Sequence, residues 1–72
     1  MSYKIEAIIK NEKHILNKVE EPTYMMSEPE MIQKMILSSY IYSNFRDIMD
    51  SPADIQEAKY KKGNKIIMSF KY

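Results

Sequence analysis

The chain has 72 residues, a net charge of +1 and no cysteine. Such a length fills one core at most, so residues 1–72 are expected to form a single small domain. The lack of cysteine excludes disulfides, and a single histidine excludes the usual His/Cys zinc cages. A core this small is marginal by itself, and docking onto another chain is the stabilising device that remains.

The first ten residues carry charged side chains every few positions and have no apolar stretch, which argues against a signal peptide. The longest uncharged run, residues 35–45, is far shorter than the ~20 residues that span a bilayer. A chain without cysteine suits a reducing compartment. We therefore expect a cytoplasmic protein that does not enter a membrane.

The N-terminal part of the chain predicts a β-hairpin, with strands near residues 3–10 and 14–20 and a three-residue loop at 11–13. In this register Ile9 faces Ile15 on one side of the sheet. A loop one residue shorter places apolar side chains opposite charged ones. We therefore expect the three-residue loop.

A helix is predicted next, because residues 27–30 have the sequence of a capping box. In this motif the Ser27 hydroxyl accepts from the Glu30 amide and the Glu30 carboxylate reaches back. The helix is expected to run over residues 28–49 and to stop before Pro52.

The predicted helix has two apolar sides. One is the expected core stripe, with helical spacing: Met31, Met35, Ser38, Tyr42, Phe45 and Met49, flanked by Ile41 and Ile48. The opposite side of the first half carries Ile32, Ile36 and Tyr40, where a solvated helix would show charge. A copy of the same helix or another protein is expected to cover these three residues.

The C-terminal part of the chain allows two interpretations. Residues 65–72 alternate as a strand does, and residues 55–61 pair with them across a turn at Gly63 or form a second helix starting at Pro52. Residues 55–61 offer almost no apolar helical stripe, which favours the hairpin. The predicted fold is α+β: a small antiparallel sheet of two hairpins (ββαββ) with one long helix on one face, the alternative being ββααβ.

The sequence offers no pattern that indicates catalysis, a cofactor or a metal. A single glycine excludes a phosphate-cradling loop, and no serine lies in a nucleophile elbow. His14 is the one candidate base near neutral pH, and its place beside the first predicted turn predicts a surface residue. We expect a protein that is not an enzyme.

Positive charge is concentrated at the C-terminal end, where the last fourteen residues hold five lysines and no acid. Lys59, Tyr60, Lys61, Lys62 and Lys65 interleave lysine with tyrosine and are the candidate nucleic-acid contacts. Lysines in such places also protect edge strands from aggregation. Nucleic-acid binding through this hairpin is therefore the alternative to a protein-interaction role.

In composition the chain resembles small uncharacterised proteins encoded by phages and prophages of low-GC bacteria. It is rich in lysine, isoleucine, methionine and tyrosine, as residues 4–11 and 62–68 illustrate. The resemblance implies an inhibitor or adaptor of host proteins. The sequence thus predicts a protein-interaction module that is homodimeric through Ile32, Ile36 and Tyr40.

Overall fold

The computed structural model describes residues 3–19 and 23–71. The elements follow one another as β1 (Tyr3–Ile9), β2 (Glu12–Val19), a short helix α1 (Thr23–Met26), a long helix α2 (Glu30–Asn44), a 3-10 turn (Pro52–Asp54), β3 (Ile55–Lys62) and β4 (Lys65–Lys71). The strands form one antiparallel sheet in the order β2-β1-β3-β4. This confirms the predicted ββαββ arrangement and excludes ββααβ. The predicted strand ends at Glu20 and Tyr72 lie outside the described residues.

The core lies between α2 and one face of the sheet. Leu37 and Ile41 are the fully buried residues of α2, and Ile41 has 0% of its surface exposed. In the two central strands Ala7 lies directly opposite Ala58, and both are fully buried. Both belong to the same core cluster as Leu37 and Ile41.

The first hairpin has a two-residue turn, so the predicted three-residue loop and its register are wrong. Ile9 pairs with Glu12, and Lys10 and Asn11 between them both have positive φ, as a type I′ turn requires. Gln56 of β3 holds this turn, since its amide nitrogen donates to Asn11 Oδ1 over 3.0 Å. Lysine is not a residue that marks left-handed backbone in a sequence, so this turn was not predicted. The register differs from the predicted one by three residues, an odd number, which puts Ile15 on the outer face of the sheet.

Lys10→Gly is expected to stabilise the fold by about 0.5–1 kcal/mol, because only glycine adopts a left-handed backbone without steric cost. The substitution also removes the ion pair between Lys10 and Asp50, which is 3.6 Å long and exposed, so its contribution to stability is small. Urea unfolding measures the change. Glu12→Gly, one position beyond the turn, is the control and should destabilise the fold. Equal effects of the two changes would contradict the turn geometry.

The long helix begins at Glu30, so the predicted Ser27 cap is wrong. Pro29 is the N-cap residue, and it makes no side-chain cap hydrogen bond. A residue that precedes proline is disfavoured in helical backbone, which keeps Glu28 out of the helix. Gln33 instead links the first turns of α2 to the segment before it, because its side-chain nitrogen donates to the Glu28 carbonyl over 2.9 Å.

The helix ends at Asn44 rather than at Met49. The side chains of Ser43 and Asn44 both donate to the Tyr40 carbonyl, and such local bonds compete with the helical pattern. The amide of Met49 then donates to the Phe45 carbonyl in a following turn, and Met49 reaches the core from there. The predicted core stripe assumed instead that one continuous helix runs as far as Met49.

The predicted core stripe is therefore correct in its second half and wrong in its first. Ser38 and Met49 are buried, whereas Met31 and Met35 are 74% and 60% exposed. Met25, which lies in the preceding short helix α1, is buried in the core, where Met31 and Met35 had been expected.

The C-terminal hairpin has the predicted turn. Lys62 pairs with Lys65 across Gly63 and Asn64, and Gly63 has a φ of +60°. Positive φ at the first central position is what a type II′ turn needs.

Candidate functional site

One candidate surface is the outward side of α2, here called the α2 face. It consists of Met31, Ile32, Met35, Ser39 and Tyr40, all of which are exposed. Met35 lies in its middle, since it lines both of the shallow depressions that flank it. The α2 face is thus a continuous apolar strip along the helix.

Charge is missing from this strip. Glu30 and Lys34 are the charged residues of α2, and Glu30 lies in its first turn. Lys34 is half-buried, with its ammonium 5.4 Å from the centre of the Phe70 ring. Beyond Glu30, the exposed positions of the helix are therefore apolar or neutral, which is unusual for a helix that faces water.

The structure places the three predicted interface residues together but not equally. Ile32, Ile36 and Tyr40 line one depression together with Met35 and Ser39. Ile32 and Tyr40 are exposed, whereas Ile36 is half-buried and packs against the core. The two most exposed residues, Met31 and Met35, were assigned to the core from the sequence because the helical stripe was drawn on the wrong side.

A second depression lies between α2 and the 3-10 turn. The helix lines it with Met31, Lys34, Met35, Ser38 and Ser39, and the turn lines it with Pro52 and Ala53. It extends the α2 face sideways with two more small apolar residues.

The other candidate surface is the side of the sheet that faces away from α2, here called the outer sheet face. Cross-strand partners share a face, and the registers give three rows across the four strands: Asn17, Lys4, Lys61 and Ile66; Ile15, Glu6, Lys59 and Ser69; Lys13, Ile8, Glu57 and Lys71. Five lysines and two glutamates give this face a net charge of +3.

Glu6 lies at the centre of these charges. Its carboxylate is 3.1 Å from Lys61 Nζ, 3.3 Å from Lys13 Nζ and 3.5 Å from Lys4 Nζ. The hydrogen bond from Lys61, together with the bond and the charge of Lys13, lowers the pKa of Glu6 from 4.5 to about 2, against the opposing effect of burial. One carboxylate thus holds three ammonium groups.

Two of the lysines are direct cross-strand partners. Lys4 of β1 is opposite Lys61 of β3, and like charges placed directly opposite each other destabilise a sheet. Glu6 offsets this repulsion because it contacts both.

The five candidate nucleic-acid contacts separate in the structure. Lys59 and Lys61 lie on the outer sheet face, whereas Tyr60 points into the core and is 4% exposed. Tyr60 is therefore buried too deeply in this fold to contact a nucleic acid. Lys62 lies 5.7 Å above the ring of Tyr3, and Lys65 is exposed beside the turn.

His14 is not the free surface residue that its position near a turn predicted. It is half-buried, it lies opposite Ala7 on the core side of the sheet, and its ring centre is 5.2 Å from that of Phe45. The shift in the hairpin register, which the sequence did not reveal, brings it there.

Comparisons with protein-family models, with curated proteins and with solved structures find no match to this chain. Within residues 3–19 and 23–71, no helix is long and apolar enough to cross a membrane. Across the same residues, no group of three His, Cys, Asp or Glu side chains is placed to hold a metal ion.

Proposed function

We propose that the protein is a non-catalytic interaction module that forms a homodimer through the α2 face. The observation that carries this proposal is the uncharged, exposed strip centred on Met35. Monomers rarely leave a contiguous apolar strip of this kind in water. A domain without disulfides also gains from association the stability that its small core lacks.

A second copy is the occupant that fits this strip. A two-fold interface places each residue near its own surroundings in the other copy, so a self-facing surface must not bring like charges together. The α2 face meets this condition because its five residues are uncharged, and the ammonium of Lys34 at its edge lies 5.4 Å from the centre of the Phe70 ring. Ser39, in the middle, is small enough for two helices to approach closely.

The ends of the helix favour an antiparallel arrangement. Glu30 lies in the first turn, and Arg46 follows the last turn. In an antiparallel pair the acidic start of one helix lies beside the end of the other that carries Arg46, and the helix dipoles oppose each other favourably. The charges then support the orientation while the apolar strip supplies the affinity.

We expect sedimentation equilibrium to show a dimer with micromolar affinity. Each fully buried methionine or isoleucine contributes about 1.5–3 kcal/mol, and association itself costs about 4–15 kcal/mol. Met35→Glu should give a folded monomer at the same concentrations, because it places two carboxylates at the centre of the interface.

Ile66→Glu is the matched control, since Ile66 is an apolar residue that is 49% exposed but lies on the outer sheet face. It should remain dimeric. Ile36→Glu is a poorer test than Met35→Glu, because Ile36 also packs against the core. A wild type that stays monomeric at high micromolar concentration, or a dimer that only Ile66→Glu disrupts, would overturn the proposal.

A further inference from the structure

We propose that the outer sheet face binds the phosphate backbone of nucleic acid without sequence preference. This proposal does not rest on the dimer, because the outer sheet face lies on the opposite side of the sheet from α2. Of the nucleic-acid contacts predicted from the sequence it keeps Lys59 and Lys61, and it replaces those near the hairpin tip with lysines of the neighbouring strands.

The charge distribution is the first argument. The outer sheet face carries +3, whereas residues 27–54, which form the helix layer, carry five acidic and two basic side chains, hence −3. The net charge of +1 conceals this polarity. An anionic partner is therefore attracted to one side of the molecule and repelled from the other.

The spacing of the lysines is the second argument. Lys59 and Lys61 project from alternate positions of β3 and so lie roughly 6.6 Å apart along the strand. This is comparable with the separation of successive phosphates along a nucleic-acid strand. Lys4 lies beside Lys61 on the next strand, and Lys71 lies beyond Lys59 on the other side.

The facing pair of Lys4 and Lys61 is the third argument. Placing two ammonium groups directly opposite each other lowers the stability of the sheet, and a local arrangement that costs stability is typical of functional sites. A phosphate between these lysines would relieve the repulsion that Glu6 relieves in the free protein.

The chemistry of the surface defines how it binds. In the part of the sheet that the structure describes, no aromatic ring lies on the outer sheet face, because Tyr3, Tyr60 and Phe70 face or pack on the core. Base stacking is therefore not provided, and lysine contacts to phosphate carry no sequence information. Affinity should be modest, equal for unrelated sequences and steeply dependent on salt.

The test is fluorescence anisotropy of the full chain with a short labelled DNA duplex. Three to four phosphate contacts predict a slope of about −3 to −4 in log K against log salt, which is a loss of about a hundredfold between 50 and 200 mM salt. Lys59→Gln combined with Lys61→Gln should weaken binding at least tenfold and reduce the slope by about 2.

The matched control is Lys62→Gln combined with Lys65→Gln, which removes the same charge from the hairpin tip and should change affinity less than threefold. Glu6→Gln should strengthen binding severalfold, because it removes the carboxylate that competes with phosphate for three lysines. Circular dichroism of each variant at the assay temperature shows that it is folded.

The proposal is overturned by any of three results. The first is no binding of wild type at low salt, and the second is a larger loss with the hairpin-tip pair than with Lys59 and Lys61. The third is tighter binding of polyglutamate or of phosphatidylserine vesicles than of DNA at the same salt, which would assign the face to an acidic protein or to a membrane surface.

Discussion

Ile41→Ala should remove most of the stability of the fold. Ile41 is completely buried at the centre of α2, and truncating such a residue costs about 2–5 kcal/mol in transfer and cavity terms. A core of this size rarely supplies more than about 3–5 kcal/mol. Urea unfolding followed by circular dichroism should therefore show a variant that is largely unfolded without denaturant.

The matched control for this change is Ile66→Ala, which removes the same atoms from an exposed position of β4. It should cost less than about 1 kcal/mol, as most surface substitutions do. Met31→Ala, measured at a concentration low enough to keep the chain monomeric, should also be mild because Met31 is exposed. A loss at Met31 as large as that at Ile41 would mean that α2 is rotated.

Glu6→Gln should have the second large effect, a loss of about 1–2 kcal/mol at neutral pH. The folded state lowers the pKa of Glu6 from 4.5 to about 2, and this shift stabilises the fold wherever the unfolded chain is already ionised. The stabilisation is smaller than the full shift implies, because water screens the partly exposed lysines. The variant also leaves Lys4 and Lys61 facing each other without a carboxylate between them.

The pH dependence follows from the direction of the shift. A lowered pKa contributes stability that is complete above about pH 5 and is lost as the pH falls through 4.5 towards about 2. The difference in unfolding free energy between wild type and Glu6→Gln should therefore shrink over that window. Urea unfolding at neutral pH and at about pH 3 measures it.

Glu57→Gln is the control for this prediction. Glu57 also lies on the outer sheet face, but among the described residues it pairs with Lys59 alone, at 3.7 Å. It should cost under about 1 kcal/mol, as exposed pairs do. If Glu57→Gln and Glu6→Gln were equally destabilising, the central role of Glu6 would be contradicted.

Local chemistry in the sequence was sufficient for the type and order of the main elements. Alternation identifies strands, a 3.6-residue period identifies a helix, and Gly63 marks the second hairpin turn, because each of these signals is contained within a short segment. The same signals placed the C-terminal hairpin in preference to a second helix.

Non-local contacts decided the rest. Gln56 of β3 holds the turn at Lys10 and Asn11, and the resulting register, three residues from the predicted one, determines which side chains of β2 face the core. Met25 of α1 lies in the core, while Met31 and Met35 remain exposed and form the α2 face. The periodicity of a helix that is apolar on two sides cannot show which of its residues will be buried, and the fully buried Leu37 belongs to neither predicted side.

The outer sheet face is the clearest case of a feature that only the tertiary structure determined. Lys4, Lys13, Glu6 and Lys61 lie in three different strands, and no pattern along the chain places them together. The sequence showed an excess of lysine near its end and a helix with two apolar sides. Strand order and register placed the lysines on a basic face around one carboxylate. Packing buried Leu37, Ser38 and Ile41 of α2 and left residues of both predicted apolar sides exposed. Both outcomes depend on contacts between residues far apart in the chain.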